Sequence, residues 1–280
     1  MTRNPAHIFP RKRWSQNFLQ DPNIARKIAG NIRLTSPSLL IEIGPGPGLL
    51  TRFLLDKCDQ LLAVEIDPSL AAELPERLDH PANLTVIQQD FLEWDIPAAL
   101  KKYQGFQTGV IGNLPYHITS PILFQILDHA SLFHTAVFMV QKEVARRLAA
   151  DYGNKEYGIL SVFCQFHAEV KYLFTVPAHL FFPKPKVDSA IVKFNFHPAP
   201  EKQLLNPVLF RELVRRTFGQ RRKMLRNSLS TLCPGAILSR LNVNLSRRPE
   251  SLSVEEFMDL SNQLQQILEK TENAPPDPRH

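Results

Sequence analysis

The sequence predicts an α/β protein, a mostly parallel sheet with helices on both faces, followed by a small all-helical unit. Three observations predict it. Short apolar runs alternate with helical stretches over the first two-thirds of the 280 residues, as βαβ units require. The first of those runs ends in a glycine-rich turn, the place where a parallel sheet admits a ligand. After His197 the strand pattern stops, and helical periodicity runs from about 208 to 268.

Taken in order, residues 39–43 (Leu-Leu-Ile-Glu-Ile), 61–65 (Leu-Leu-Ala-Val-Glu) and 84–88 (Leu-Thr-Val-Ile-Gln) read as strands, with helices around 49–57 and 69–78 between them. Val110-Ile111 precedes a turn and a helix near 120–131. A strand at 135–140 leads into a helix at 142–150. Residues 170–176 and 190–196 read as later strands, joined by a proline-rich loop at 177–188. Pro198, Pro200 and Pro207 punctuate a linker. The expected division is therefore a sheet domain with a basic N-terminal arm (1–197), a helical domain (198–272) and a disordered, proline-containing tail (273–280). No internal repeat is visible.

Composition sets bounds on function. Apolar residues make up 44% and charged residues 21%, enough for a sizeable core and unlike a disordered chain. No apolar run approaches the ~18 residues of a membrane helix. Residues 1–13 carry charge with no apolar stretch after them, unlike a secretory signal. Cys58, Cys164 and Cys233 are odd in number and far apart. They make neither a disulfide framework nor a Cys-x-x-Cys metal site, and are expected to be buried small side chains in a reducing cytoplasm.

Net charge is +6, and its distribution is uneven. Arg3, Arg11, Lys12 and Arg13 stand in the first 13 residues with no acid. Arg211, Arg215, Arg216, Arg221, Arg222, Lys223 and Arg226 crowd 211–226 against Glu212 alone. The rest of the chain holds 22 basic and 26 acidic residues, a net of −4. Local positive excess of this kind suits a polyanion. Arg211, Arg215, Arg222 and Arg226 are spaced to approximate one helical face, and Arg146 and Arg147 are candidates to extend the surface.

The candidate ligand site starts at Glu42-Ile43-Gly44-Pro45-Gly46-Pro47-Gly48. Glycine permits a sharp turn and close approach of a ligand to the main chain. This is no phosphate loop, since a Gly-Lys-Ser/Thr ending is missing and Pro45 and Pro47 lack amide donors. Glu65 ends the next strand, 17 residues after Gly48. A carboxylate there can accept hydrogen bonds from ribose hydroxyls. Asp90 follows the third strand, where it can accept one from an adenine amino group. Three successive strand ends thus carry a Gly-rich turn, an acid and an acid.

The fourth strand is followed by Asn113-Leu114-Pro115-Tyr116. Here the chain resembles amino-methyltransferases that use S-adenosylmethionine (AdoMet). Adenine N6 is a poor nucleophile because its lone pair is delocalised. The Asn113 side-chain oxygen and the Leu114 carbonyl, accepting both N–H bonds, would favour a pyramidal, nucleophilic nitrogen. Tyr116 can stack on a base that is unpaired or extruded. No base catalyst is required, so His117 is given no catalytic role.

Three further segments narrow the resemblance. They are Arg11-Lys12-Arg13-Trp14-Ser15-Gln16-Asn17-Phe18-Leu19-Gln20-Asp21, Phe181-Phe182-Pro183-Lys184-Pro185-Lys186-Val187-Asp188-Ser189-Ala190 and Gln220-Arg221-Arg222-Lys223-Met224-Leu225-Arg226-Asn227-Ser228-Leu229. With the earlier motifs, in order over about residues 8–265, they look like the KsgA (RsmA) family of rRNA adenine N6,N6-dimethyltransferases. The resemblance implies a Rossmann-like AdoMet-dependent methyltransferase sheet with a helical rRNA-binding domain. It implies AdoMet as methyl donor, S-adenosylhomocysteine as product and no metal. Its target would be two adjacent adenosines in the hairpin loop near the 3′ end of 16S rRNA, in the immature 30S subunit in the cytoplasm. Cofactor contacts carry over onto Asn17, Leu19, Gly44, Glu65, Asp90 and Asn113. Phe181 matches an aromatic that stacks on the target base opposite Tyr116, with Phe182 its ambiguous neighbour. Arg11, Lys12, Arg13, Arg215, Arg221, Arg222, Lys223 and Arg226 would hold RNA phosphates. Trp14-Ser15 stands where Phe-Gly is usual, and Pro47 where Leu or Gly is commoner. Neither departure removes a chemical group. The absence of heptads gives no reason to expect more than a monomer.

Other readings remain. A macrolide-resistance-type 23S rRNA adenine-N6 methyltransferase shares the pocket but not the target. A DNA adenine methyltransferase fits less well, because Leu114 stands where Pro is usual. A non-catalytic 30S assembly checkpoint factor would need the same surface without the chemistry.

Overall fold

The structure is a computed structural model and describes residues 16–272. The first elements are β1 (Phe18–Leu19) and α1 (Pro22–Ala29). Then come β2 (Ser38–Ile43), α2 (Thr51–Leu54), β3 (Gln60–Glu65), α3 (Pro68–Arg77), β4 (Leu84–Gln88) and α4 (Ile96–Leu100). They are followed by β5 (Gln107–Asn113), α5 (Thr119–Asp128), β6 (Thr135–Gln141), α6 (Lys142–Leu148) and α7 (Ile159–His167). The chain continues through β7 (Ala168–Val176), β8 (Phe181–Phe182) and β9 (Ser189–Phe196) to α8 (Pro207–Gly219), α9 (Leu225–Leu229), α10 (Gly235–Leu238) and α11 (Val254–Glu272).

Several helix starts share one local chemistry. Asp21, Asp67 and Asn206 each accept a backbone N–H of the first turn, and each is followed by a proline at the first helical position. The side-chain oxygen satisfies a donor the helix cannot, and proline lacks the donor that would go unused. Asp95 caps α4 likewise.

The large sheet has the order β4-β3-β2-β5-β6-β9-β7. Pairings from β4 to β6 are parallel, and β9 runs antiparallel to both β6 and β7. All six residues of β2 are buried, as a strand covered on both faces demands. The core on this sheet includes Ile28, Leu40, Leu61, Ile111, Val137, Met139 and Ile191. The expected α/β class and mostly parallel sheet are what the structure contains.

The proline-rich stretch 177–188 differs from the loop expected. It holds β8, which pairs antiparallel with β1 in a separate two-stranded ribbon, Phe18 opposite Phe182 and Leu19 opposite Phe181. Two-residue strands fall below any periodicity the sequence can display.

By their contacts the described residues form two compact units, one running up to 149 and taking in 168–198, the other made of 150–167 and the chain from 199 onward. A single cut at 197/198 therefore misassigns α7. In the second unit Phe163 and Phe166 of α7 lie against Phe210, with ring centroids 6.2 and 4.8 Å apart. Tyr157 meets Phe218 at 6.0 Å, and Phe218 meets Phe257 of α11 at 5.7 Å. These rings bury most of their apolar area in this unit's core. Ser253 and Glu256 exchange side-chain-to-backbone bonds of 3.2 and 2.9 Å at the start of α11, a reciprocal cap.

Candidate active site

A crevice of about 550 Å³, part of it open to solvent, lies at the carboxyl ends of the parallel strands. It is lined by Gln16, Asn17, Phe18, Gly44, Gly46, Glu65, Ile66, Asn113, Leu114, Pro115 and Tyr116. Loops there lie outside the ladders and can adapt to a ligand.

The glycine-rich turn has spent its own donors. The Gly44 N–H bonds the Val64 carbonyl at 2.9 Å, the Gly46 N–H bonds Glu65 Oε2 at 3.0 Å, and the Gly48 N–H bonds the Pro45 carbonyl at 3.1 Å. With Pro45 and Pro47 lacking an N–H, the segment presents no nest of amides to a phosphate. Gly44 has φ +65°, and a Cβ built there would meet nothing within 4 Å, so this glycine leaves room for a ligand. Gly46 has φ +56°, and a Cβ there would stand 3.0 Å from the Phe18 ring. Phe18 thus lies directly over the turn.

Glu65 is buried, with 4% of its surface exposed. Its Oε1 accepts the Asp67 N–H at 2.9 Å, and Oε2 the Gly46 N–H. Desolvation raises its pKa, and these backbone bonds oppose the rise. A carboxylate has about four acceptor sites, and the backbone N–H groups of Asp67, Gly46 and Ile66 all act on those of Glu65. Among the described residues no Lys or Arg lines the crevice, so this part of the wall suits hydroxyl-bearing or cationic ligands better than anionic ones.

Asn113 is the last residue of β5. Its Nδ2 donates to the Asn17 carbonyl at 2.9 Å. That bond engages the amide nitrogen and leaves Oδ1 as the acceptor of the carboxamide. The Leu114 N–H is tied to the Met139 carbonyl at 3.0 Å. The turn after it closes on the Pro115 carbonyl, which accepts from the Ile118 N–H and the Thr119 hydroxyl, rather than on that of Leu114. Tyr116 is half-buried, and its phenol lies 2.7 Å from the Ser189 hydroxyl. Burial raises its pKa; the Ser189 bond lowers it and the Asp188 charge raises it further.

Of the predicted site residues, the crevice brings together Asn17, Gly44, Glu65, Asn113, Leu114 and Tyr116. Leu19, Asp90 and Phe181 are not on its wall. Asp90 follows β4 and caps the tight turn Phe91–Glu93 through Oδ1 at 2.9 Å. Leu19 packs against the core, and Phe181, 4% exposed, belongs to it. Phe181 is therefore placed in the core and not on the crevice wall, where the resemblance had set its ring. Paired residues of an antiparallel ribbon share a face, and successive residues alternate. Phe18 and Phe182 share one face of the ribbon, Leu19 and Phe181 the other. Phe18 lines the crevice and Phe182 is 58% exposed. Gln16, Phe18, Ile66 and Ser189 had been given no individual site role from the sequence, although all but Ile66 lay inside a quoted motif.

The basic segment is also revised. α8 ends at Gly219, and a tight turn to Lys223 precedes α9, so Arg222 and Arg226 do not continue a face begun by Arg211 and Arg215. Arg215, Arg222, Lys223 and Arg226 are exposed. Arg221 is only partly exposed and is engaged within its own unit. Its guanidinium donates to the carbonyls of Asn154 (3.4 Å) and Lys155 and lies 3.8 Å from Glu250. Arg146 and Arg147 are exposed on α6, Arg147 in contact with Glu143. Arg11, Lys12, Arg13, Trp14 and Ser15 lie outside the described residues, as do 273–280. Cys164 and Cys233 are buried free thiols and Cys58 is half-buried. Among the described residues no cluster of three or more His, Cys, Asp or Glu could hold a metal, and no helix is long and apolar enough to cross a membrane.

A seven-stranded sheet of this order, with its crevice at the strand ends, defines a Rossmann-like methyltransferase. A model of the ribosomal RNA adenine dimethylase family matches residues 9–266, and the chain belongs to that family. It is 41% identical over 265 residues to ribosomal RNA small subunit methyltransferase A of Bacillus thuringiensis (strain Al Hakam), covering 91% of each chain. The corresponding protein of Bacillus mycoides (strain KBAB4) is also 41% identical, over 93% of this chain and 92% of its own. Among solved structures, a dimethyladenosine transferase from Plasmodium falciparum superposes with a TM-score of 0.75 at 26% identity, covering 91% of this chain and 98% of that one. The 23S rRNA methyltransferase ErmE gives 0.69 at 31%, covering 89% and 100%.

Proposed function

We propose that the protein dimethylates N6 of two adjacent adenosines near the 3′ end of 16S rRNA in the immature 30S subunit, with AdoMet as donor. The observation that carries this reading is the Asn113 carboxamide. Its nitrogen is engaged by the Asn17 carbonyl, so its oxygen is the group left to accept an N–H at the mouth of the crevice.

AdoMet, when bound, supplies a methyl group already activated by its sulfonium. The chain's own residues bind and orient. Glu65 takes ribose hydroxyls on its remaining acceptor sites, and Asp90 Oδ2 takes the adenine amino group. The space above Gly44 and the main chain around Asn17 and Leu19 accommodate the amino-acid end. Asn113 Oδ1 and the Leu114 carbonyl accept the two N–H bonds of the target amino group, which concentrates the lone pair on nitrogen. The ring of Tyr116 supports the extruded base. Phe182, on the crevice-side face of the ribbon, takes the second aromatic role in place of Phe181. Arg215, Arg222, Lys223 and Arg226, with the basic residues of the N-terminal arm, hold phosphates. We assign the protein to the cytoplasm, because the ribosome is its substrate, and expect it to act as a monomer.

The test is transfer of tritiated methyl from AdoMet to immature small subunits, followed by primer extension across both rRNAs. Paired stops at neighbouring adenosines in 16S rRNA are expected. The similarity to ErmE favours one alternative, modification of 23S rRNA, and stops there instead would establish it. No incorporation into either RNA would defeat the proposal.

A further inference from the structure

β9 is the strand that runs against its neighbours. Its first residue, not its last, therefore lies at the carboxyl edge of the sheet. That residue is Ser189, and it pairs with Gln141 at the end of β6 and Val176 at the end of β7. The reversal brings a hydroxyl from the proline-rich motif to the edge where Asn113 ends β5. Ser189 is fully buried, and its hydroxyl meets the phenol of Tyr116, 73 residues away in sequence.

Its surroundings hold it rigidly. The preceding residue, Asp188, accepts the Lys142 N–H on its carbonyl and the Ala178 N–H on Oδ1, both at 3.0 Å, and its Oδ2 lies 3.8 Å from Lys142 Nζ. The backbone on either side of Tyr116 is held, by the Leu114 N–H on the Met139 carbonyl before it and the Ile118 N–H on the Pro115 carbonyl across it. A phenyl ring held only by its backbone can rotate about two side-chain torsions. A ring held at backbone and hydroxyl cannot do so without breaking a partly buried hydrogen bond.

We propose that Ser189 is a positioning residue for methyl transfer, its hydroxyl fixing the Tyr116 ring as the wall against which the target base is set. This rests on the reading of Tyr116 given above. Rates of transfer between positioned groups are sensitive to small displacements, so the loss falls on turnover and not on donor binding.

The test compares Ser189→Ala, Tyr116→Phe, the double variant and Tyr116→Ala, reading kcat, KM for the RNA substrate, AdoMet affinity and Tm. Ser189→Ala and Tyr116→Phe remove the same bond from its two ends. Each should lower kcat by about tenfold with AdoMet affinity unchanged, and the double variant should be no slower than either. Tyr116→Phe approaches the bond from the less buried side, so the result stands even where Ser189→Ala unfolds. Wild-type kcat in Tyr116→Phe, or losses that multiply in the double variant, would overturn the inference while leaving the role of the ring intact. Wild-type turnover in Tyr116→Ala would overturn both.

Discussion

The crevice and the helical unit use polar groups in opposite ways. At the crevice the turn amides, both Glu65 oxygens, the Asn113 nitrogen and the Tyr116 phenol already have partners inside the protein. The acceptors left over are few and fixed. On the helical unit Arg215, Arg222, Lys223 and Arg226 are exposed and act through charge, which tolerates changes of geometry. Selection of one atom needs the first arrangement; retention of a polyanion needs only the second.

The largest effect should come from removing an acceptor that has no substitute. Asn113→Ala is expected to cut methyl transfer by roughly 10²–10³-fold while the variant still binds small subunits. Transfer assays beside sedimentation binding would check this, and normal transfer would mean that the crevice does not select as argued. Phe181→Ala and Phe182→Ala test the same contrast within one ribbon. Loss of the buried ring should cost about 3–5 kcal/mol, measured by denaturant unfolding. Phe182→Ala should stay within about 0.5 kcal/mol of wild type and weaken transfer instead. Equal stability losses would show that the ribbon does not have two distinct faces.

Glu42 supplies a stability test beneath the crevice. It is 1% exposed, and its Oε2 has no hydrogen-bond partner. Burial pushes its pKa from 4.5 up to about 8, opposed by the Thr51 hydroxyl and reinforced by the charge of Glu65. Between those values the folded protein holds a proton that the unfolded chain has released. Its contribution is therefore complete below pH 4.5 and declines as pH rises through about 8. Glu42→Gln should remove that slope, raising unfolding free energy above pH 8 by up to a few kcal/mol and changing little near pH 4.5. Parallel pH profiles for the two proteins would contradict the buried, protonated carboxyl.

The long elements were legible because their signals span many residues. Apolar runs located β2, β3, β4, β6, β7 and β9, and three of the four strand-end motifs, all but Asp90, located most of the crevice wall. What escaped depends on single residues. Asp21-Pro22 is a cap followed by proline, a recognisable helix start, yet α1 is too short for periodicity to confirm. α7 is apolar on nearly all sides because it is buried in the helical unit, so it shows no stripe that reads as a helix. Phe181 and Phe182 differ only in the side of a two-residue strand, and a shift of one residue exchanges the faces. Ser189 reaches the site through one strand's direction, which composition does not express.

Arg221 and Arg222 sharpen the contrast at its smallest scale. The two are adjacent in sequence and equal in charge. Arg222 is exposed, whereas Arg221 spends its guanidinium on the carbonyls of Asn154 and Lys155, close to Glu250. A guanidinium so engaged has fewer donors for phosphate, and its loss leaves carbonyls of a neighbouring loop without partners. Arg222→Ala should therefore lower the slope of log affinity against log salt by about one unit and leave Tm unchanged. Arg221→Ala should lower Tm by an amount corresponding to about 1–2 kcal/mol and change the salt slope less. Measuring subunit binding at several salt concentrations, beside thermal unfolding, separates the two. Identical behaviour would mean that this internal contact does not hold in solution and that both arginines belong to the polyanion surface.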